Sequence, residues 1–141
     1  LSVRVCYDNI RFRLKSSGII KGFLVGVIKG RNMIPGDVFF IFTKDRTIRR
    51  INREFLKHDY NTDVISFSFN ENNIVNGEVY ISVDTVIRNS AKYGTLFYEE
   101  IIRVMIHGTL HLLGYNDGSF EDRKVMFDFQ EKLVKEIKCM I

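Results

Sequence analysis

The chain has 141 residues, 45% hydrophobic and 27% charged, with one proline and a formal net charge of +4. This composition excludes a low-complexity or largely disordered polypeptide, and no apolar run approaches the length of a membrane span. The length suits one domain, residues 1–141, around one substantial core, and the mild basic balance is compatible with an anionic partner without requiring one.

Cys6 and Cys139 lie near opposite ends and form no close pair. Reduced thiols in a cytoplasmic protein are the expectation, ahead of a single bridge between the termini. No charged-then-apolar leader opens the sequence. The chain starts at Leu1, and the expectation is that an initiator Met or a few leading residues precede it.

In chain order, residues 2–8 alternate Val3, Val5 and Tyr7 against Arg4 and Cys6 and read as a first strand. Ser16 or Ser17 is placed to cap a helix running to about Gly30, with Ile20, Phe23, Leu24, Val27 and Ile28 on its apolar stripe. Gly18, Gly22 and Gly26 each weaken that helix by about 1 kcal/mol relative to Ala. Their spacing of four suggests a close helix–sheet contact. Pro35 and Gly36 signal a turn, and the apolar run from Val38 to Thr43 predicts a strand covered on both faces.

Asp45 is placed to cap the next helix, Arg46 to about Lys57. Its basic residues Arg46, Arg49, Arg50, Arg53 and Lys57 fall opposite Ile48, Ile51 and Phe55. Like charges so crowded repel one another. A polyanion lying on the ridge would neutralise them, although a solvated face explains the pattern too. His58 to Asp63 reads as a polar loop and Val64 to Phe69 as a strand. Asn70 to Gly77 reads as a turn-rich connection and Glu78 to Val83 as the strand that completes an antiparallel hairpin. Ser82 or Asp84 caps a helix to about Tyr93, where Gly94 stops it.

The helix from about Phe97 to Leu113 is apolar almost all round and so is expected to be buried. It carries two of the three histidines, His107 and His111, four residues apart on one helix face. Buried imidazoles need partners. A metal ion gripped from one side supplies them, as in zincin spacing. Gly114 can end the helix, and Asp117 then becomes a candidate third ligand. The bland alternative is a pair of satisfied core histidines before an ordinary helix end. Ser119 with Asp122 resembles a capping box, opening a last helix to about Lys138 with Val125, Met126, Phe129, Leu133 and Ile137 inward. The predicted fold class is therefore α+β, or mixed α/β. It has a small mixed sheet of about four strands with an antiparallel hairpin, about five helices, and a metal site at the end of a buried central helix.

Three blocks of residues coincide in one known pattern. The first contains Ile51 and Asn52, then His58, Asp59, Thr62, Asp63, Val64, Ile65, Ser66 and Phe67. The second contains Gly77, Glu78, Ile81 and Ser82. The third contains His107, Gly108, His111, Gly114 and Tyr115. Together they resemble the YbeY family of bacterial metal-dependent endoribonucleases that mature ribosomal RNA, over nearly the whole chain. The resemblance implies one zinc ion, or another divalent metal, and activity on single-stranded RNA rather than DNA. It also implies trimming of the 3′ end of small-subunit rRNA and ribosome quality control, with the ribosome and possible ribosomal proteins as partners, in the cytoplasm and away from membranes.

Two positions depart from the family pattern. A third histidine usually follows Gly-Tyr-Asp; here Asn116 and Asp117 occupy the matching stretch, making Asp117 the implied third ligand. A carboxylate there lowers the site's positive charge and leaves a bound water less acidic than three imidazoles would. The family also tends to carry an arginine before the Thr-Asp block, where this chain has Leu56; Arg53 or Lys57 is the expected substitute. Lysine lacks the bidentate fork of arginine. Asp63 and Glu121 are candidate general bases by their chemistry.

Two other functions share some of these features. A zinc peptidase has similar histidine spacing but needs a glutamate immediately after the first histidine, where this chain has Gly108. A non-catalytic, rRNA-binding assembly factor with a structural metal is the main alternative, and Leu56 favours it modestly.

Overall fold

The computed structural model describes residues 2–57 and 62–141. His58, Asp59, Tyr60 and Asn61, most of the polar loop read above, lie outside the described residues. The elements run β1 (Val3–Tyr7), α1 (Ser17–Gly30), β2 (Ile34–Thr43), α2 (Asp45–Phe55), β3 (Val64–Ser68), β4 (Ile74–Ser82), α3 (Val83–Tyr93), α4 (Phe97–Leu112) and α5 (Phe120–Lys138). The strands form one sheet in the order β1-β2-β4-β3. β1 and β4 both pair with β2 in parallel, while β3 pairs with β4 antiparallel and leaves its other side as a sheet edge. The fold is α+β with a mixed sheet, as the sequence predicts.

The larger core lies on one face of this sheet. Val38, Phe40 and Phe42 of β2 and Val75, Val79 and Ile81 of β4 pack there with Ile20, Leu24 and Ile28 of α1 and with Ile101, Met105, Ile106 and Leu110 of α4. On the other face α2 lays Ile48 and Ile51 against Ile65, Phe67 and Tyr80. Strand alternation produces this division. Val64 and Ser66 oppose Ile81 and Val79, whereas Ile65 and Phe67 oppose Tyr80 and Glu78.

Two glycines set how closely α4 approaches the sheet. A Cβ on Gly108 would sit 2.5 Å from Val79 Cγ1, and one on Gly77 would sit 2.5 Å from Leu112 Cδ2. Both distances are too short for real atoms. The bare backbones therefore let the C-terminal half of α4 lie tight against β4 and β3. Ser66 Oγ donates to Gly108 O at 3.3 Å, and Asn70 Nδ2 donates to Leu112 O at 2.8 Å, tying that half to the hairpin.

Several local expectations change. Pro35 and Gly36 make no turn; β2 begins at Ile34 and absorbs them at a register shift between Pro35 and Val38. Such an irregularity tolerates a residue without an N–H. A Cβ on Gly36 would sit 2.2 Å from Asn76 Oδ1, so β4 leaves no room for a side chain there. β4 likewise starts at Ile74, inside the expected turn region, because Asn70 Oδ1 accepts from Asn76 N and orders the short connection. Asp45 is the first residue of α2; Lys44 occupies the cap position and makes no side-chain cap bond. The Asp45 carboxylate instead accepts from Ser82 Oγ at 2.5 Å and Thr85 Oγ1 at 2.6 Å, and pairs with Arg88 at 2.7 Å. This cluster fastens the start of α2 to the junction of β4 and α3.

Ser16 precedes α1 with a left-handed backbone and makes no side-chain cap bond, so capping does not define that end. Gly18, Gly22 and Gly26 face open space, not the sheet; a Cβ on any of them would meet nothing within 4 Å. Val125 is exposed, while Met126, Leu133 and Ile137 of α5 are buried and Phe129 packs at the core margin. Phe55 is exposed as well, since α2 ends there. Ser82 and Ser119 cap α3 and α5, accepting from Thr85 N and Asp122 N. Both cysteines are free and exposed. No helix among the described residues is long and apolar enough to cross a membrane.

Candidate metal centre

The buried α4 brings His107 and His111 to the rim of a cleft of about 570 Å³. Its walls are Asn52 of α2 and Leu56 just beyond it, Thr62 and Asp63 before β3, Val64 to Ser66 and Ser68 along β3, Leu112, and Asp117. The free edge of β3 thus forms one side and the end of α4 the other. Gly114, with φ of 99°, ends the helix as expected. Tyr115 N donates back to Leu110 O at 3.0 Å, and the reversed chain delivers Asp117 beside the imidazoles. Ligand atoms of His107, His111 and Asp117 all lie within 4.8 Å of one another.

The hydrogen bonds behind the histidines settle their tautomers. Gln130 of α5 donates through Nε2 to Glu131 Oε2 at 3.1 Å, so its Oε1 is the atom turned to His107, 2.6 Å from Nδ1. An amide oxygen only accepts; His107 must therefore carry its proton on Nδ1. His111 Nδ1 lies 3.1 Å from the carbonyl oxygen of Tyr115, which imposes the same tautomer. In the neutral forms the two Nε2 atoms then face each other at 3.1 Å, each with a lone pair. Neutral imidazoles so opposed repel unless a cation lies at their convergence. Burial and the neighbouring His107 both push the His111 pKa down, so His111 itself is a poor holder of a second proton. Two imidazole nitrogens and one carboxylate oxygen suit a zinc-type ion, and the Gln130 and Tyr115 acceptors are the outer partners such ligands need.

Other candidate residues separate into two groups. Asp63 lines the cleft, and burial pushes its carboxyl pKa up, with the nearby His107 as the largest opposing influence. Leu56 also lines it. Arg53 and Lys57 are exposed and do not line the cleft, and Lys57 has a left-handed backbone beyond the end of α2. Glu121 is exposed in the first turn of α5 and does not line it either. Sequence reasoning missed Gln130, which sits 23 residues from its histidine in an unremarkable helical stretch. It also gave no role to Asn52, which is 2% exposed yet lines the cleft; a polar residue on the apolar face of α2 was the available signal.

A family model described as endoribonuclease YbeY matches residues 21–138. The chain belongs to the YbeY family. It is 40% identical over 135 residues to an endoribonuclease YbeY of Chlorobium phaeobacteroides, covering 96% of this chain and 92% of that one. It is 39% identical over 119 residues to one from Parabacteroides distasonis, covering 84% of each. The solution structure of Thermotoga maritima TM1509 is similar too, with a TM-score of 0.67 and 30% identity, covering 96% of this chain and 88% of that one. The chain therefore shares its fold with a solved structure 30% identical to it.

Proposed function

We propose that this protein is a metal-dependent endoribonuclease that cleaves single-stranded RNA in the maturation of ribosomal RNA. Its family membership supports the endoribonuclease activity. The observation that carries the metal dependence is the pair of Nε2 lone pairs 3.1 Å apart beside Asp117, at the rim of an open cleft. His107, His111 and Asp117 hold one divalent ion, for which zinc is the best match to the donor set. When bound, that ion supplies Lewis acidity toward a phosphodiester and its attacking water.

The protein's own groups do the rest. Gln130 and the Tyr115 carbonyl keep both Nε2 atoms aimed at one point. Asp63, with its pKa raised by burial, is placed to take up a proton at a carboxylate oxygen. The exposed basic residues of α2, Arg53 among them, and Lys57 just beyond it attract the RNA backbone and steady its charge. On this reading residues 1–141 act as one cytoplasmic domain. The substrate is the 3′ end of small-subunit rRNA within ribosome quality control, and the ribosome is the partner.

The peptidase alternative fails on geometry as well as on residue type. A side chain at position 108 would run into Val79 and Ser66, which leave no room for a glutamate. A purely structural metal is also poorly matched to ligands that border a cleft of about 570 Å³.

The test is cleavage of a single-stranded oligoribonucleotide by the wild type, by His111→Ala and by chelator-treated protein. Loss in both controls, with activity restored by added zinc, is the expected result. Equal cleavage in all three would trace the activity to a contaminant, and wild-type protein that binds RNA without cutting it would leave an assembly role.

A further inference from the structure

A second cleft opens on another flank of α2. It measures about 260 Å³ and is walled by Ile51, Phe55, Phe67, Phe69, Glu78 and Tyr80. Phe55 is 66% exposed and Phe69 58% exposed. The rings of Phe55 and Phe67 meet edge to face at 6.1 Å, as do those of Phe67 and Tyr80 at 6.0 Å. Two large aromatic side chains held this open to water contribute little to the core. Their exposed surface can receive another flat group.

The same two elements build both clefts. α2 and its C-cap turn Asn52 and Leu56 to the metal cleft, and α2 turns Ile51 and Phe55 to the aromatic one. β3 and its continuation turn Ser66 and Ser68 to the first and Phe67 and Phe69 to the second. On α2 the two linings alternate between neighbouring residues, Ile51 beside Asn52 and Phe55 beside Leu56. Arg46, Arg49, Arg50 and Arg53 stand exposed along that helix, so a polyanion crossing from one cleft to the other meets a favourable potential. Glu78 adds selectivity. Its carboxylate accepts from Tyr80 Oη at 3.1 Å and has further lone pairs for donors entering the cleft. A carboxylate there disfavours a phosphate and favours a ring that presents N–H groups.

We propose that this cleft is a stacking site for one unpaired nucleobase carrying N–H donors on its pairing edge, guanine foremost, in the RNA strand that also enters the metal cleft. The proposal rests on the nuclease reading. Phe55 and Phe69 supply the stacking faces, Glu78 accepts from the base, and α2 holds the intervening phosphates. Guanine is preferred because its adjacent N1–H and amino group match two carboxylate lone pairs, whereas uracil offers one donor flanked by acceptors.

Direct binding tests this apart from catalysis. Fluorescence anisotropy with labelled single-stranded oligoribonucleotides, under chelator so that nothing is cut, compares wild type with Phe55→Ala/Phe69→Ala. The double variant is expected to bind about tenfold more weakly. A single abasic nucleotide stepped along the oligonucleotide should cost the wild type a similar factor at one position and cost the double variant almost nothing more there. At that position guanine should bind most tightly, and Glu78→Gln should reduce the preference. Phe69→Leu stays apolar but lacks a π face; weakening there too supports stacking, while full affinity would overturn it in favour of simple apolar contact. Unchanged binding by the double variant, or additive losses with the abasic nucleotide, would also overturn it. Cleavage with added zinc is run on the same wild-type protein. If it neither binds nor cleaves RNA, the nuclease reading falls and this one with it. If it cleaves and the double variant binds equally well, only the stacking site falls.

Discussion

Gln130 Oε1 lies 2.6 Å from Nδ1 of His107, and Gln130 Nε2 is held by Glu131. Glu131 is in turn held by Arg103, which also pairs with Glu99 and Glu100 on its own helix. The metal centre is therefore backed by a polar chain that crosses from α4 to α5. Gln130→Ala removes the acceptor that fixes the His107 tautomer. Zinc affinity should fall about 10- to 100-fold, read by competition with a chromophoric chelator. Unaltered affinity in a folded variant would show that His107 needs no such orientation.

Gly108 offers a stability test that does not involve the ion. Its missing Cβ would lie 2.5 Å from Val79 Cγ1 and 3.2 Å from Ser66 Oγ. Gly108→Ala should improve helix propensity yet destabilise the protein by about 1–3 kcal/mol, because the overpacked contact outweighs the propensity gain. Urea denaturation of the chelated protein measures this. A variant as stable as wild type would mean that α4 shifts away from β4 at little cost.

The Asp45 cluster should make stability depend on acid in a defined direction. Burial alone would raise its pKa, but the hydrogen bonds from Ser82, Thr85 and Arg88 together outweigh burial and hold it below the ordinary 3.8. A lowered folded-state value means that the unfolded chain takes up the proton first. The contribution is therefore fully present above the ordinary carboxylate range and disappears as pH falls through the folded value. Asp45→Asn should be less stable than wild type near neutrality, and the gap between their urea midpoints should narrow below about pH 4. A gap independent of pH would assign the loss to packing alone.

How much of this was legible depended on how local each signal is. The i, i+4 histidines, Gly114 and Asp117 lie within eleven residues of one another, so helical geometry brings them together before any tertiary contact is known. Gln130 belongs to another helix, and only the packing of α5 on α4 makes it a partner. Pro35, Gly36 and the stretch before Gly77 use turn-forming residues, yet pairing between β2 and β4 draws them into strands. Asp45 carries a capping side chain, but Ser82, Thr85 and Arg88 claim it from elsewhere in the chain. Phe55 fits the apolar period of α2 and still faces water, because the helix ends at that residue.

Leu56 allows a direct test of what a charged group at the cleft wall would do. It lines the metal cleft beside Asn52, whereas Arg53 and Lys57 do not. An apolar side chain there cannot stabilise the charge that develops on a phosphoryl group during cleavage. Leu56→Arg would bring a planar guanidinium to the cleft wall, able to bind two phosphate oxygens at once. Cleavage of single-stranded RNA should rise by about tenfold or more, with zinc affinity unchanged because no ligand is altered. Leu56→Met controls for side-chain length without charge and should behave like wild type. Single-turnover rates separate chemistry from binding. If Leu56→Arg tightens RNA binding but leaves the single-turnover rate unchanged, the guanidinium is meeting flanking phosphates, and charge stabilisation in this protein must come from another group at the cleft.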